Sequence, residues 1–337
     1  MQSDQRERLL ASKLTGLVRS LRPVGEGASE PEARGALTVM TDGARAYGLI
    51  EMGGPGPVAS AVLWARRNGC AELVLFVDEA ASTGARFASY FSSGDVRVSV
   101  LEVAGSTASA VVAEPAPATI PAPIVPHDLI DVLRAQQLEV VAEHGVIRGE
   151  LLGLEVARLV RWPAANGGDD ELHLEAGVGR FDRDAVAAVN ADMSPEDALG
   201  RTLEVVRKHR YSGAPVHPLQ LLSRERWLRV SLLADPGRVG AKRLEAVAMT
   251  TEAPGMRDPH PAAAYGEHRD GQSLIAVCST GINMATVPLA ADLRAALDPS
   301  ADLVILVPER DRHSATVELA AMLEGRVEVL GTEVDWG

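Results

Sequence analysis

The chain has 337 residues, of which 46% are hydrophobic, 23% are charged and 4% are aromatic, and its formal net charge is −13. This balance excludes a wholly disordered or fibrous chain and predicts an aliphatic core, while the length favours more than one domain. No apolar run reaches the roughly 18 to 20 residues that span a bilayer. We therefore expect no membrane partner.

The start of the chain and its cysteines indicate a cellular compartment. Residues 4–21 are spaced as an amphipathic helix rather than as a signal peptide. Only two cysteines occur, Cys70 and Cys278, and they lie far apart in apolar surroundings, which argues against a disulfide framework and against a cysteine zinc site. These features predict a cytoplasmic protein.

The most informative feature of the sequence is an internal repeat. Residues 71–79 (AELVLFVDE) and 301–309 (ADLVILVPE) are identical at five of nine positions. Around both stretches the predicted elements follow the order strand, helix, strand, helix, strand, and a turn at Asp42-Gly43 adds a hairpin before the first copy. We therefore predict an α/β fold with internally duplicated hairpin plus βαβαβ units, whose sheets are mostly parallel and covered by helices.

The repeat divides the chain into four parts. They are an N-terminal α/β unit at 1–103, a linker rich in proline and alanine at 104–126, a central α+β region at 127–217, and a C-terminal α/β unit at 218–337 that repeats the first. The central region is expected to contain a helix over 127–145, two strands joined by a turn at residues 166–169, and a helix that Ser194 caps.

Both copies of the repeat place small and polar residues where their strands end. In open α/β sheets, ligands bind beyond the carboxyl ends of the strands. The candidate ligand-binding residues are Gly53, Gly54, Asp78 and Glu79 in the first copy, and Ser279, Thr280, Gly281 and Glu309 in the second. The competing interpretation is that these residues only form turns and cap helices, because neither loop has a phosphate-binding spacing.

From this pattern, our leading hypothesis is a protein that binds without catalysis. Its partner would be a small anionic ligand at a strand-end crevice or another protein. The sequence indicates no metal-ligand set for this hypothesis and leaves the cofactor unknown. Duplication without a complete catalytic constellation in either copy is the reason for this choice.

The alternative hypothesis is a metal-dependent nucleic-acid enzyme. Asp42 and Glu51, followed by a helix and a strand, give residues 36–80 a pattern that resembles the PD-(D/E)xK nuclease core, which implies two carboxylates that hold Mg²⁺. The match is incomplete, since Gly53 stands where that family has Lys. The central hairpin carries a second version in Glu155 and Glu175. Whether the protein is an enzyme is left open.

Charge distribution bears on the same alternative. Residues 201–243 contain ten basic and three acidic side chains, a net charge of +7, so the remainder of the chain carries −20. Nucleic acid could follow this segment, with Tyr211 and Trp227 available for stacking. The competing interpretation is that the basic residues pair with acids of the same chain. The basic residues named for this role are Arg207, Lys208, Arg210, Arg224, Arg226 and Arg229.

Overall fold

A computed structural model describes residues 2–23, 27–91, 95–163, 170–179, 182–183, 193–334 and 336. The turn predicted at residues 166–169 lies outside these residues. The fold is mixed α/β. Its helices are Gln2–Leu21 (α1), Pro55–Arg67 (α2), Ala81–Ser89 (α3), His127–Ala135 (α4), Pro195–Arg207 (α5), Pro218–Leu221 (α6), Arg224–Ala234 (α7), Thr286–Leu297 (α8) and Ser314–Ala320 (α9).

In the described part of the chain, the strands form three sheets. The first has the order β1-β2-β3-β4-β5-β6 and contains Glu32–Arg34 (β1), Leu37–Asp42 (β2), Arg45–Met52 (β3), Glu72–Glu79 (β4), Arg97–Ala104 (β5) and Thr107–Ala110 (β6). The second has the order β10-β9-β8-β7 and contains Glu139–Glu143 (β7), Val146–Leu151 (β8), Leu154–Trp162 (β9) and Glu171–Ala176 (β10). The third has the order β11-β12-β13-β14-β15 and contains Ala241–Val247 (β11), Ala262–His268 (β12), Ser273–Cys278 (β13), Asp302–Pro308 (β14) and Val327–Thr332 (β15).

The first sheet is mixed, so the prediction of mostly parallel sheets is not confirmed. Strands β3, β4 and β5 are parallel, whereas β1, β2 and β6 join by antiparallel pairing. Short turns at Gly35, Gly43 and Gly105, each with a positive φ, make these hairpins possible. Residues 107–110, which were predicted to belong to the linker, follow the turn at Gly105 and form β6.

The second sheet is antiparallel and corrects one local prediction. The helix expected over 127–145 ends at Ala135, and residues 139–151 form the hairpin of β7 and β8. The cause is the turn at His144 and Gly145, which both have a positive φ and so reverse the chain. The predicted start of α5 is confirmed, because the Ser194 side chain accepts a hydrogen bond from the Asp197 N–H at 3.1 Å.

Contacts divide the chain into two compact units. Unit 1 contains residues 1–117, 282–305 and 312–329, and unit 2 contains 118–281, 306–311 and 330–337. In unit 1, Leu14, Leu17 and Val18 of α1 pack with aliphatic and aromatic side chains of β2, β3 and β4. In unit 2, α4 and α5 cover the apolar face of the β7–β10 sheet. Each fully buried Leu or Val side chain stabilises its unit by about 1.5–3 kcal/mol.

Among the described residues, no helix combines the length and the apolar character needed to cross a bilayer. The cytoplasmic location stays a prediction from sequence.

Gly53 gives a direct test of the turn between β3 and α2. A Cβ atom at this position would overlap the Ala80 carbonyl oxygen and lie 2.9 Å from the Gly84 nitrogen, whereas at Gly54 the nearest contact would be Pro57 Cδ at 3.8 Å. We expect Gly53→Ala to lower the free energy of unfolding by about 1–3 kcal/mol through overpacking, and Gly54→Ala to have a much smaller effect. Urea denaturation measures both, and equal effects would contradict this explanation.

Candidate functional site

The strand-end residues of the first copy have partners in their own unit. Lys13 Nζ lies 2.6 Å from Asp78 Oδ1, and the Gly53 N–H donates to the Glu79 carbonyl at 2.8 Å. The Glu79 side chain is exposed, and Gly54 serves as the N-cap of α2. Gly53 is therefore explained by the close approach of two turns, without a ligand.

Asp42 and Glu51 do not share a site. Asp42 pairs with Arg45 at one end of the β2–β3 hairpin, and Glu51 lies six residues further along β3. At the usual rise along a strand this separates them by roughly 20 Å, which is too far for one metal ion. Each also has a cationic partner, since Arg22 pairs with Asp42 and Arg6 pairs with Glu51.

The strand-end residues of the second copy meet other loops of unit 2. The Thr280 hydroxyl donates to Glu225 Oε1 at 2.7 Å, and the Gly281 N–H donates to Asp311 Oδ2 at 2.7 Å. The Ser279 N–H donates to the Leu306 carbonyl. The Glu309 carboxylate lies against Gly331, where a Cβ atom would overlap it. Glu225, the partner of Thr280, also belongs to a further feature of this unit.

That feature is a cavity of 1120 Å³ within unit 2. Its wall is formed by β8, β9 and β10, by the start of α7, and by the segment 252–260. Most of its polar lining consists of charged side chains. The charged lining residues are Arg148, Glu155, Arg158, Glu175, Asp182, Arg183, Glu225, Arg226, Glu252, Arg257 and Asp258.

The charged lining follows from the register of the second sheet. Arg148 on β8 is paired with Arg158 on β9, which in turn is paired with Glu175 on β10. Paired residues on neighbouring strands point to the same face of a sheet. One face of this sheet therefore carries these charges, while α4 and α5 pack against the opposite, aliphatic face.

Behind the cavity wall, two arginines of α7 are bound to two buried carboxylates. Arg229 Nη1 lies 2.5 Å from Glu143 Oε1, and Arg229 Nη2 lies 3.3 Å from Glu150 Oε2. Arg226 pairs with the same two carboxylates. We call these four residues the buried Arg–Glu cluster.

The cluster extends into the cavity through Arg148. This arginine lies 3.2 Å from Glu143 in the cluster and 2.9 Å from both Glu155 and Glu252 in the lining. Glu155 is also bound by Arg158 at 2.6 Å and by Arg183 at 2.8 Å. A continuous set of ion pairs thus runs from the core of unit 2 to the exposed side chain of Glu252.

Burial and opposite charge compete within the cluster. Burial raises the pKa of Glu143, but the neighbouring guanidinium groups, first of all that of Arg229, outweigh it and bring this pKa to about 2. Glu150 is more deeply buried, and its pKa is raised because burial outweighs the attraction of Arg226 and Arg229. Burial likewise raises the pKa of Glu225, which Thr280 lowers only in part.

Glu155 and Glu175, unlike Asp42 and Glu51, are brought together. Both contact Arg183, at 2.8 Å and 3.6 Å, and Glu175 also accepts from Trp162 Nε1 at 3.3 Å. Their charges are therefore occupied by guanidinium groups, which is the opposite of an arrangement prepared for a cation. No group of three or more potential metal ligands occurs among the residues that the structure describes. These carboxylates do not fit the Mg²⁺ that the nuclease resemblance implies.

The basic segment 201–243 is largely engaged within unit 2. Arg210 is buried and donates to backbone carbonyls that include those of Leu152 and Leu219, and its guanidinium lies 4.6 Å from the ring centroid of Trp227. Arg226 and Arg229 belong to the buried Arg–Glu cluster. The remaining three contact chain oxygens: Arg207 the carbonyl of Gln136, Lys208 the carboxylate of Glu204, and Arg224 the carbonyl of Gln220.

Two aromatic residues and two thiols complete the set of sequence candidates. Tyr211 is exposed, whereas Trp227 is buried and lies 5.2 Å from Trp336, centroid to centroid. Both cysteines are buried and unpaired by a disulfide. Burial raises the pKa of the Cys278 thiol to about 12, so this thiol stays protonated at neutral pH and is a poor nucleophile.

The sequence interpretation missed several residues of the site. Glu143 was not singled out because it lies within residues 127–145, which were predicted as one long helix, and Arg148 and Glu150 follow that segment. The alternation of charged and apolar residues over 146–151, after the His-Gly pair, was the available signal for a strand with one charged face. Arg257, by contrast, lies outside the strands and helices, so no period of the sequence points to it.

The buried Arg–Glu cluster predicts a large effect of removing one charge. We expect Arg229→Met to lower the free energy of unfolding by about 3–5 kcal/mol, because Glu143 and Glu150 lose a partner in the core. Adding Glu150→Gln should restore part of this loss. Arg243→Gln, which breaks an exposed pair with Glu245, should cost no more than about 1 kcal/mol. Urea denaturation provides the comparison, and a small effect of Arg229→Met would contradict the assignment.

His260, which lines the cavity, predicts a dependence of stability on pH. Burial is the main cause that lowers its pKa, and its nitrogens contact the Pro261 carbonyl at 3.1 Å and the Thr251 hydroxyl at 3.2 Å. Below a pH of about 6.5 the unfolded chain takes up a proton more readily than the folded one, so stability is lost as the pH falls. We expect His260→Gln to reduce this loss between pH 7 and 5, and to leave it unchanged between pH 8 and 7. Thermal unfolding at each pH measures the stability of both proteins. The same change of melting temperature with pH in the wild type and in His260→Gln would refute the prediction.

Comparison of the chain with protein-family models, with curated proteins and with solved structures gives no match. The chemistry of the cavity is therefore argued from its own residues.

Proposed function

We propose that the protein binds a small anionic ligand in the cavity of unit 2. The observation that carries this proposal is Arg257, an exposed lining residue that has no ion-pair partner among the described residues. A guanidinium group without a carboxylate, placed in a concave wall, offers two parallel N–H donors to a carboxylate or a phosphate.

The cavity carboxylates favour the same choice of ligand charge. Five of the six described in the lining already accept a hydrogen bond or an ion pair from the protein, so each has at least one partner before a ligand binds. They are Glu155, Glu175, Asp182, Glu225 and Glu252. The sixth, Asp258, is exposed and follows Arg257 directly in the chain. It gives the site a neighbouring charge of opposite sign that can be altered separately.

Preorganisation supports binding at this place. Arg148 and Glu155 stand on adjacent strands, and their ion pairs fix the wall before any ligand arrives. A site whose side chains are already held loses less conformational entropy on binding. The volume of 1120 Å³ is also adequate for a molecule of nucleotide or sugar-phosphate size.

We further propose that residues 1–103 and 218–337 are copies of one ancestral unit with helix-covered parallel strands. What supports this is the element order, which is α1, β2, β3, α2, β4, α3, β5 in the first and α7, β12, β13, α8, β14, α9, β15 in the second. The helices of unit 1 also pack symmetrically with respect to the two copies. Helix α2 contacts α8, its equivalent in the other copy, and the contact of α2 with α9 is equivalent to the contact of α8 with α3.

Polar contacts follow the same exchange of helices. Arg67 of α2 binds Glu318 of α9 at 2.8 Å, and Arg86 of α3 binds Asp292 of α8 at 3.0 Å. Each ion pair therefore joins α2 or α8, which are equivalent helices of the two copies, to α9 or α3 of the other copy. Under this proposal, the two copies differ in use, since the strand end of the second is linked through Thr280 to the cavity residue Glu225.

The metal-dependent nucleic-acid enzyme is kept as a second proposal on one observation, the convergence of Glu155 and Glu175 on the same cavity. When a cation enters, it requires Arg183 to leave both carboxylates and Arg148 and Arg158 to leave Glu155. Its test is incubation of the purified protein with single- and double-stranded nucleic acid and Mn²⁺, in which absence of cleavage ends the proposal.

The binding proposal is tested by matched charge variants. The full chain is screened by thermal unfolding against citrate, glucose 6-phosphate and a nucleoside triphosphate, and any anion that raises the melting temperature is titrated by calorimetry. We expect Arg257→Gln to weaken that anion by about 10- to 100-fold, since a hydrogen bond to a charged group contributes about 1.5–3 kcal/mol. Asp258→Asn should strengthen it, because a like charge next to the anion is removed.

Arg243→Gln serves as the control, since this exposed arginine lies on β11 and is not among the cavity residues. It should leave the affinity unchanged. The proposal is wrong if no anion stabilises the protein, or if an anion binds equally well to the wild type and to Arg257→Gln.

A further inference from the structure

A second concavity of unit 2 adjoins the proposed ligand cavity, and its lining is mainly aliphatic. It runs along α5 and α6 with a volume of 820 Å³. Val178, Asp182, Leu222 and Arg257 line both the cavity and this groove. The charged cavity and the apolar groove are therefore neighbours, and Arg257 lines both.

Two large apolar side chains of the groove are exposed to solvent. Val205 is 56% exposed on α5, and Leu221 is 54% exposed at the end of α6. The rest of the apolar surface of α5, including Leu199, Leu203 and Val206, is buried in the core. Val205 and Leu221 thus extend the apolar lining out to solvent, beyond what the core of the unit uses.

The charges of the groove select the sign of an occupant. Arg201 and Arg257 are its cationic residues, and Asp182 is its described carboxylate. Asp182 Oδ2 already accepts a hydrogen bond from the Val178 N–H at 2.7 Å. An anionic group at Arg257 is therefore complementary to the groove entrance, whereas a cation would meet two guanidinium groups.

We infer that the ligand is a monomeric amphipathic anion, with its head at Arg257 in the cavity and a hydrocarbon tail along the groove towards Val205 and Leu221. This inference rests on the proposed function, because it adds a tail to the anion that the cavity binds. The tail would cover apolar surface that is otherwise exposed to water, which is the source of its contribution to affinity.

The test is a homologous series of monocarboxylates, namely hexanoate, octanoate and decanoate, titrated into the full chain by calorimetry below the concentrations at which they aggregate. We expect the affinity to rise about fourfold for each added methylene, which corresponds to about 0.8 kcal/mol per buried CH₂. Suberate, which has the length of octanoate with a second carboxylate at the far end, should bind more weakly than octanoate because its charged end would enter the groove.

Variants locate the tail. Val205→Ser and Leu221→Ser replace exposed side chains, so both proteins should fold, and their melting temperatures verify this. With each variant, the ratio of the affinity for decanoate to that for hexanoate should fall severalfold. Val112→Ser, at a position 85% exposed outside the groove, is the matched control and should leave that ratio unchanged.

The outcomes separate this inference from the proposal beneath it. If citrate or a phosphate ester binds through Arg257 while affinity for the monocarboxylates does not grow with length, the tail is refuted and the binding function stands. If affinity grows with chain length but is unchanged by Val205→Ser and Leu221→Ser, the hydrocarbon tail does not bind in the groove. If no anion of any kind binds, the proposed function itself fails.

Discussion

The architecture of unit 2 depends on the transfer of two carboxylates, Glu143 and Glu150, from water into the core. A buried carboxylate is tolerated only when opposite charge and hydrogen bonds replace its hydration. Here α7 supplies both through Arg226 and Arg229. The pairing requires the β7–β8 hairpin and α7 to keep one relative position, because a shift of either would leave a charge unpaired in a medium of low polarity.

The fixed position of the buried Arg–Glu cluster also determines the geometry of the cavity wall. Arg148 reaches Glu143 on one side and Glu155 on the other, so the position of the core is transmitted to the residues that line the cavity. An ion-pair chain of this kind contributes little net stability compared with aliphatic packing. Its value is in geometry, because each guanidinium fork accepts only a narrow range of carboxylate positions. The wall is thus shaped by charge, and the opposite face of the sheet is stabilised by aliphatic burial.

Local patterns in the sequence predicted those strands, turns and helix caps that are determined by hydrophobic periodicity or by the residues of a turn. The strands that contain residues 72–79 and 302–308, the hairpin at Gly43 and the cap at Ser194 could all be predicted in this way, since each is decided by a few neighbouring residues. The hairpin after α4 was missed because apolar residues over 127–145 also fit a helical period, and only the positive φ of His144 and Gly145 decides between them. Pairings such as Arg229 with Glu143 join residues that are distant in sequence, so charge counting could place a basic segment at 201–243 but could not determine that Arg210, Arg226 and Arg229 face inwards.

The inward direction of those arginines changes the meaning of the charge asymmetry. A net charge of +7 on 43 residues can bind a phosphate backbone only if its charges reach solvent. Arg226 and Arg229 are instead neutralised by Glu143 and Glu150, and Arg210 is bound by backbone carbonyls. Because the inner charges cancel locally, the field that a ligand meets comes from the few outer residues without such partners, above all Arg257. Under the proposed function, the interior determines the shape of the cavity, and the exposed guanidinium of Arg257 selects a negatively charged ligand. Burial of apolar surface in the groove beside Arg257 would then add affinity beyond that single contact.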